Sequence, residues 1–188
     1  MQLKWYIFII SFCAFLGSLI ISLLSHTAFF SVLIKTALLI IAVIMVDGLT
    51  ATICRLLPKK CANFESKIYR VKKREKQFYE KIYIKKWKEK VPEIGHFTGF
   101  RKNKILEPKN PKYIKRFLYE ICYGELGHFV SVFSGFIILL CSFISPIFIA
   151  VGLLVSIVNA VLNVFPIMVL RYNSYKLYTL YKFYKDKN

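Results

Sequence analysis

Glu125 and His128 stand three residues apart, and Ser131 follows at the same interval. On a helix that spacing puts all three on neighbouring positions of one face. A carboxylate that accepts a hydrogen bond from one imidazole nitrogen fixes the tautomer and raises the basicity of the other nitrogen. In this reading His128 is a general base and Glu125 its orienter. No metal is expected, because a single Glu-x-x-His offers two ligands where a di-iron bundle needs two such motifs and further carboxylates. The alternative is a satisfied polar tie between helices, which the residues alone leave open.

A second group, Asn163, Pro166, Arg171, Tyr172 and Asn173, closes the last apolar stretch of the chain. At 1.5 Å per residue, Asn163 and Arg171 are about 12 Å apart along an ideal helix axis. Two antiparallel helices joined by a short loop would bring both groups to one level, giving His128, Glu125, Asn163 and Arg171 a shared cavity. The competing reading of Arg171 and Tyr172 is the cationic and aromatic fringe that any membrane helix carries. Tyr172, Tyr175, Tyr178, Tyr181 and Tyr184 recur every three residues, which drifts around a helix, so they are expected to act as interfacial anchors.

The elements that must position these residues are membrane spans. No charge occurs from Trp5 to Leu24 or in the 42 residues from Phe129 to Leu170. A crossing takes roughly 20 apolar residues, so the longer run holds two, broken near Ser145-Pro146. Residues 28–53 supply another, although they include Lys35 and Asp47. The expected fold is an all-α integral membrane protein with four transmembrane helices, at about 4–24, 29–53, 125–145 and 148–170. These form an N-terminal hairpin (1–54) and a C-terminal hairpin (125–170), with a basic, partly helical segment (55–124) between them and a tail (171–188) after them. The first run is too long for the apolar part of a cleaved leader, and a second run follows almost at once.

Of the 28 Lys and Arg, 21 fall between Arg55 and Arg116, where the net charge is +15 of a total of +18. The loops at Ser25-His26-Thr27 and Ser145-Pro146 carry none, so both termini and the basic segment are expected in the cytosol of a bacterial cell, beneath its membrane. Such a surface attracts anionic lipid or a phosphate-bearing soluble substrate. No nucleic-acid module accompanies the charge, which makes nucleic acid a poor partner. Residues 63–87 read as a mostly helical, surface-lying stretch ended by Pro92, then a Gly-containing loop to Phe100 with Arg101, Lys102 and Lys104 after it. Asn110-Pro111 reads as an N-cap and first helical position, opening a helix that continues into the third crossing. The five cysteines show no paired spacing, and no disulfide framework is expected.

Four strings in order carry a family resemblance: Lys86-Trp87-Lys88 with Pro92; Gly99-Phe100-x-Lys102; Glu125-Leu126-x-His128-x-x-Ser131; and Asn163-x-x-Pro166 with Arg171-Tyr172-Asn173. Over residues 55–177 the chain resembles the glycosyl-4,4'-diaponeurosporenoate acyltransferases of staphyloxanthin-type carotenoid synthesis. The resemblance implies transfer of a long-chain fatty acyl group to a sugar hydroxyl of a glycosylated carotenoid or related glycolipid. It implies no cofactor, with acyl-CoA or acyl carrier protein as the donor substrate. His128 and Glu125 would be catalytic, with Ser131, Asn163, Arg171, Tyr172, Asn173, Lys86, Trp87, Arg101 and Lys102 in contact with substrate. The alternatives are a non-catalytic membrane protein that binds anionic lipid or serves as an accessory subunit, and a methyltransferase or reductase acting on a lipid.

Overall fold

A computed structural model describes residues 2–92 and 105–187. Among them there is no strand, and four helices are long and apolar enough to cross a membrane. These are α1 (Gln2–Ser25), α2 (Phe29–Leu56), α5 (Pro111–Ser134, extended by a 3-10 stretch, Gly135–Phe143) and α6 (Ile147–Lys185). Two short helices, α3 (Lys73–Lys81) and α4 (Ile84–Trp87), lie in the basic segment. The chain is an all-helical membrane protein. Leu, Ile and Phe side chains stand exposed along its sides, as with Phe8, Phe12, Ile41, Met45 and Phe133, and in a bilayer this surface meets lipid rather than water.

Association inside a bilayer depends on close packing and on hydrogen bonds between helices rather than on hydrophobic exclusion. Both devices are present. A Cβ on Gly17 would collide with a Leu154 methyl, so glycine lets α1 lie close to α6. Ser18 and Thr36, both fully buried, share a 2.8 Å hydrogen bond between α1 and α2. Pro166 lacks the N–H that would bond the Leu162 carbonyl within α6. The Tyr6 hydroxyl of α1 donates to that carbonyl at 3.4 Å.

The helix start at Asn110-Pro111 follows the sequence reading: the Asn110 carbonyl oxygen of the side chain accepts from the Lys112 and Tyr113 amides at 3.0 and 3.3 Å, with Pro111 at the first position. The break near Ser145-Pro146 also stands where expected. Two expectations are corrected. Residues 63–87 are not one helix, because 63–72 are irregular and Tyr83 takes a left-handed conformation (φ 55°) that separates α3 from α4. Nor do the segment's apolar residues face a membrane surface alone: Ala62, Phe64 and Tyr69 are buried against Ile114, Leu118, Leu177 and Tyr181 of α5 and α6. The second correction concerns the tyrosines. α6 continues unbroken past residue 170, and its Tyr172 and Tyr181 are core residues at 0% and 6% exposure, not interfacial anchors.

Candidate functional site

Because α5 and α6 are antiparallel, polar residues descending α5 meet partners ascending α6. Two polar layers result. In the layer nearer the basic end, Arg171 of α6 donates through Nε and Nη2 to the two carboxylate oxygens of Glu75 on α3, the Nη2 bond being 3.0 Å. Its Nη1 donates to Glu125 Oε1 of α5 and, at 3.1 Å, to the Ile68 carbonyl. A guanidinium has five N–H groups in a planar fork; the four bonds leave one. The Tyr79 hydroxyl completes the layer, donating to Glu75 at 2.7 Å. Burial pushes the Glu75 carboxyl up, but the hydrogen bonds from Arg171 and Tyr79 outweigh it and hold the group below its ordinary value. Glu125 is buried, and its Oε2 has no hydrogen-bond partner among the described residues.

The deeper layer is built differently. His128 Nδ1 lies 2.8 Å from the side-chain oxygen of Asn163. The Asn163 amide nitrogen donates to Asp47 Oδ2 of α2 at 3.0 Å, and to the Asn159 backbone carbonyl and side-chain oxygen at 3.1 Å each. Every neighbour of that nitrogen is an acceptor, so the orientation of the amide is fixed and its oxygen faces the imidazole. Nδ1 must therefore carry the proton, and in the neutral ring the lone pair lies on Nε2. Asn159 supports the same carboxylate, donating to Asp47 Oδ1 at 3.4 Å and to the Ser131 carbonyl at 3.3 Å. Room for it comes from Gly135, where a Cβ would sit 2.6 Å from the Asn159 amide nitrogen.

The sequence expectations fare unequally against this geometry. His128, Asn163, Glu125 and Arg171 do come together on α5 and α6, yet they close on one another in two pairs. Glu125 does not orient His128: three residues on, the imidazole points to Asn163 while the carboxylate reaches Arg171, whose charge is the stronger partner. Asn163 has both amide functions occupied, and Arg171 four of its five donors. Ser131 is buried and engages Asn159 through its backbone carbonyl. Tyr172 is wholly enclosed, with Lys88 and Lys176 each 5.8 Å from its ring centre. Asn173 is half-buried beside it on α6.

Trp87 ties α4 down, donating from its indole nitrogen to the Ile82 carbonyl at 3.0 Å and meeting Phe165 of α6 edge-on. Lys86 is exposed, 4.8 Å from the Tyr83 ring centre. Arg101 and Lys102 lie outside the described residues. Lys35 bonds Ser31 on its own helix at 2.6 Å. Asp47 stands out in the sequence as a residue to pair with other helices, and it does so with α6, whereas Asn159 and Glu75 are not sequence candidates. A carboxylate in an apolar run and two asparagines four apart were readable signals for the first two; nothing local marked Glu75, whose partner is 96 residues away. Among the described residues there is no cluster of three or more His, Cys, Asp or Glu that could hold a metal, and all five cysteines are free.

The family model described as glycosyl-4,4'-diaponeurosporenoate acyltransferase matches residues 65–182, which takes in α3 to α5, all but the last turn of α6 and, apart from Asp47, every residue of the two layers. No significant match was found among curated proteins or solved structures.

Proposed function

The chain belongs to the glycosyl-4,4'-diaponeurosporenoate acyltransferase family and is an acyltransferase of a carotenoid pathway, and from that premise we propose that His128 is the general base of a sugar-directed acyl transfer at the inner face of the membrane. The acceptor is a hydroxyl of a glycosylated carotenoid or similar glycolipid, and the donor a long-chain acyl thioester from the cytosol, with no further cofactor. His128 Nε2 takes the proton from the sugar hydroxyl as its oxygen attacks the thioester carbonyl. The tetrahedral adduct then collapses, the carbon–sulfur bond breaks, and the imidazolium returns its proton to the departing thiolate. Ester and free thiol are the products, and no acyl-enzyme is required.

What supports this reading is the hydrogen-bond chain from Asp47 through Asn163 to His128, because it commits Nδ1 as donor and leaves Nε2 to accept a proton. In the same reading Glu125 and Arg171 are positioning residues that hold α3 and the basic segment over the bundle. The test is transfer of a labelled acyl group from acyl-CoA to a glycolipid extract by purified protein. His128→Ala should lose turnover about a hundredfold or more while keeping its thermal stability in detergent; unchanged turnover would remove His128 from the mechanism.

A further inference from the structure

Beyond the two layers, toward the end of α6, the basic segment and α6 flank an open cleft of about 740 Å³, within the size range of small-molecule sites. Lys67, Arg70, Lys72, Lys73 and Lys182 line it, and among the described residues no carboxylate does. None of these five cations forms an ion pair with a described carboxylate. That contrasts with Arg171 one helical turn before Tyr175 of the cleft wall, which has two carboxylate partners. Lys72 and Lys73 also begin α3, whose first-turn carboxylate, Glu75, is turned to Arg171 and Tyr79. Tyr178 stands between the two chain segments, with Arg70 5.4 Å and Lys182 5.5 Å from its ring centre.

We propose that this cleft binds the phosphorylated nucleotide of a coenzyme A thioester, and so is the docking site of the acyl donor's polar end. Five uncompensated cations around a concave wall suit a ligand with several phosphate charges, and Arg70 can meet a phosphate with two parallel N–H bonds. Tyr178 and Tyr175 hold cations at the wall, Arg70 and Lys182 against the first ring and Lys76 at 5.3 Å from the centre of the second. The position constrains how the ligand lies. Tyr178 lies about 22 Å along an ideal helix axis from Asn163, more than the pantetheine arm alone spans, so the pyrophosphate must sit on the His128 side of Tyr178 for the thioester to reach His128.

This inference rests on the acyl-transfer reading, and a binding measurement separates the two. Equilibrium dialysis of radiolabelled coenzyme A against the detergent-purified full chain should show saturable binding, weakened at least tenfold in Arg70→Ala/Lys182→Ala and unaltered in His128→Ala. A second pair, Lys67→Ala/Lys72→Ala, should weaken it similarly, and removing the ligand's 3'-phosphate should weaken it in the wild type. Equal affinity in both double variants and the wild type would overturn the cleft as the site while leaving His128 untouched. Binding of acyl carrier protein or of anionic phospholipid vesicles at the cleft, with no coenzyme A binding, would overturn the choice of ligand.

Discussion

The layer around Arg171 and the layer around His128 share the same two helices, about 12 Å apart along α6, yet they differ in what they leave over. Arg171 faces two carboxylates and a backbone carbonyl and commits four of five donors. The His128 layer commits one imidazole nitrogen to a fixed amide and so defines the other as an acceptor. Charge and burial alone would have ranked the arginine layer as the reactive one. The arginine layer leaves over one guanidinium N–H and Glu125 Oε2, the histidine layer one imidazole nitrogen; in the proposed mechanism the first is a clamp and the second the place where a proton is taken.

The comparison breaks first if the arginine layer proves dispensable. Arg171→Ala leaves the buried Glu125 carboxylate uncompensated, and should cost about 3–5 kcal/mol of stability, seen as a lower unfolding temperature in detergent. Adding Glu125→Gln to that variant should restore part of the loss; no loss at all would show that the clamp is not holding the bundle. Asn163→Ala frees the imidazole to choose either tautomer, and should lower kcat by roughly tenfold or more with little change in KM. A change confined to stability would reduce Asn163 to a packing residue.

Smaller effects sharpen the contrast. Asp47→Asn keeps an acceptor oxygen for the Asn163 amide, so it should cost about 1 kcal/mol in stability or turnover; a far larger loss would give the Asp47 charge a direct part in the chemistry. Glu75 has its carboxyl held below the ordinary value by Arg171 and Tyr79. Its stabilising contribution is therefore fully present above the unfolded value and is lost as pH falls through the depressed one. Unfolding temperatures measured on acidification should fall less steeply in Glu75→Gln than in the wild type across that window, and parallel curves would contradict the assignment.

The spans, the Asn110-Pro111 start and the break at Ser145-Pro146 could be read from the sequence because each rests on local rules: run length, a capping side chain, a proline. His128 and Asn163 could be read because polar residues in apolar helices are costly enough to stand out. The pairing could not. Helical spacing placed Glu125 beside His128, but which partner a side chain chooses depends on the register of α5 against α6 and on Glu75, which arrives from α3 through an irregular segment. The surface helix expected over residues 63–87 failed for a related reason. Its apolar spacing was real, but Phe64 and Tyr69 found α5 and α6 to pack against, and Tyr83 broke the helix.

Histidine-selective ¹⁵N labelling gives the most direct test, since the chain has three histidines and the His128 signals are assigned by their disappearance in His128→Gln. The two ring nitrogens of His128 should report a neutral imidazole protonated at Nδ1, and Asn163→Ala should give a mixture of tautomers. A His128 ring protonated at Nε2 in the wild type would contradict the account, because the nitrogen assigned to accept the sugar proton would already be occupied.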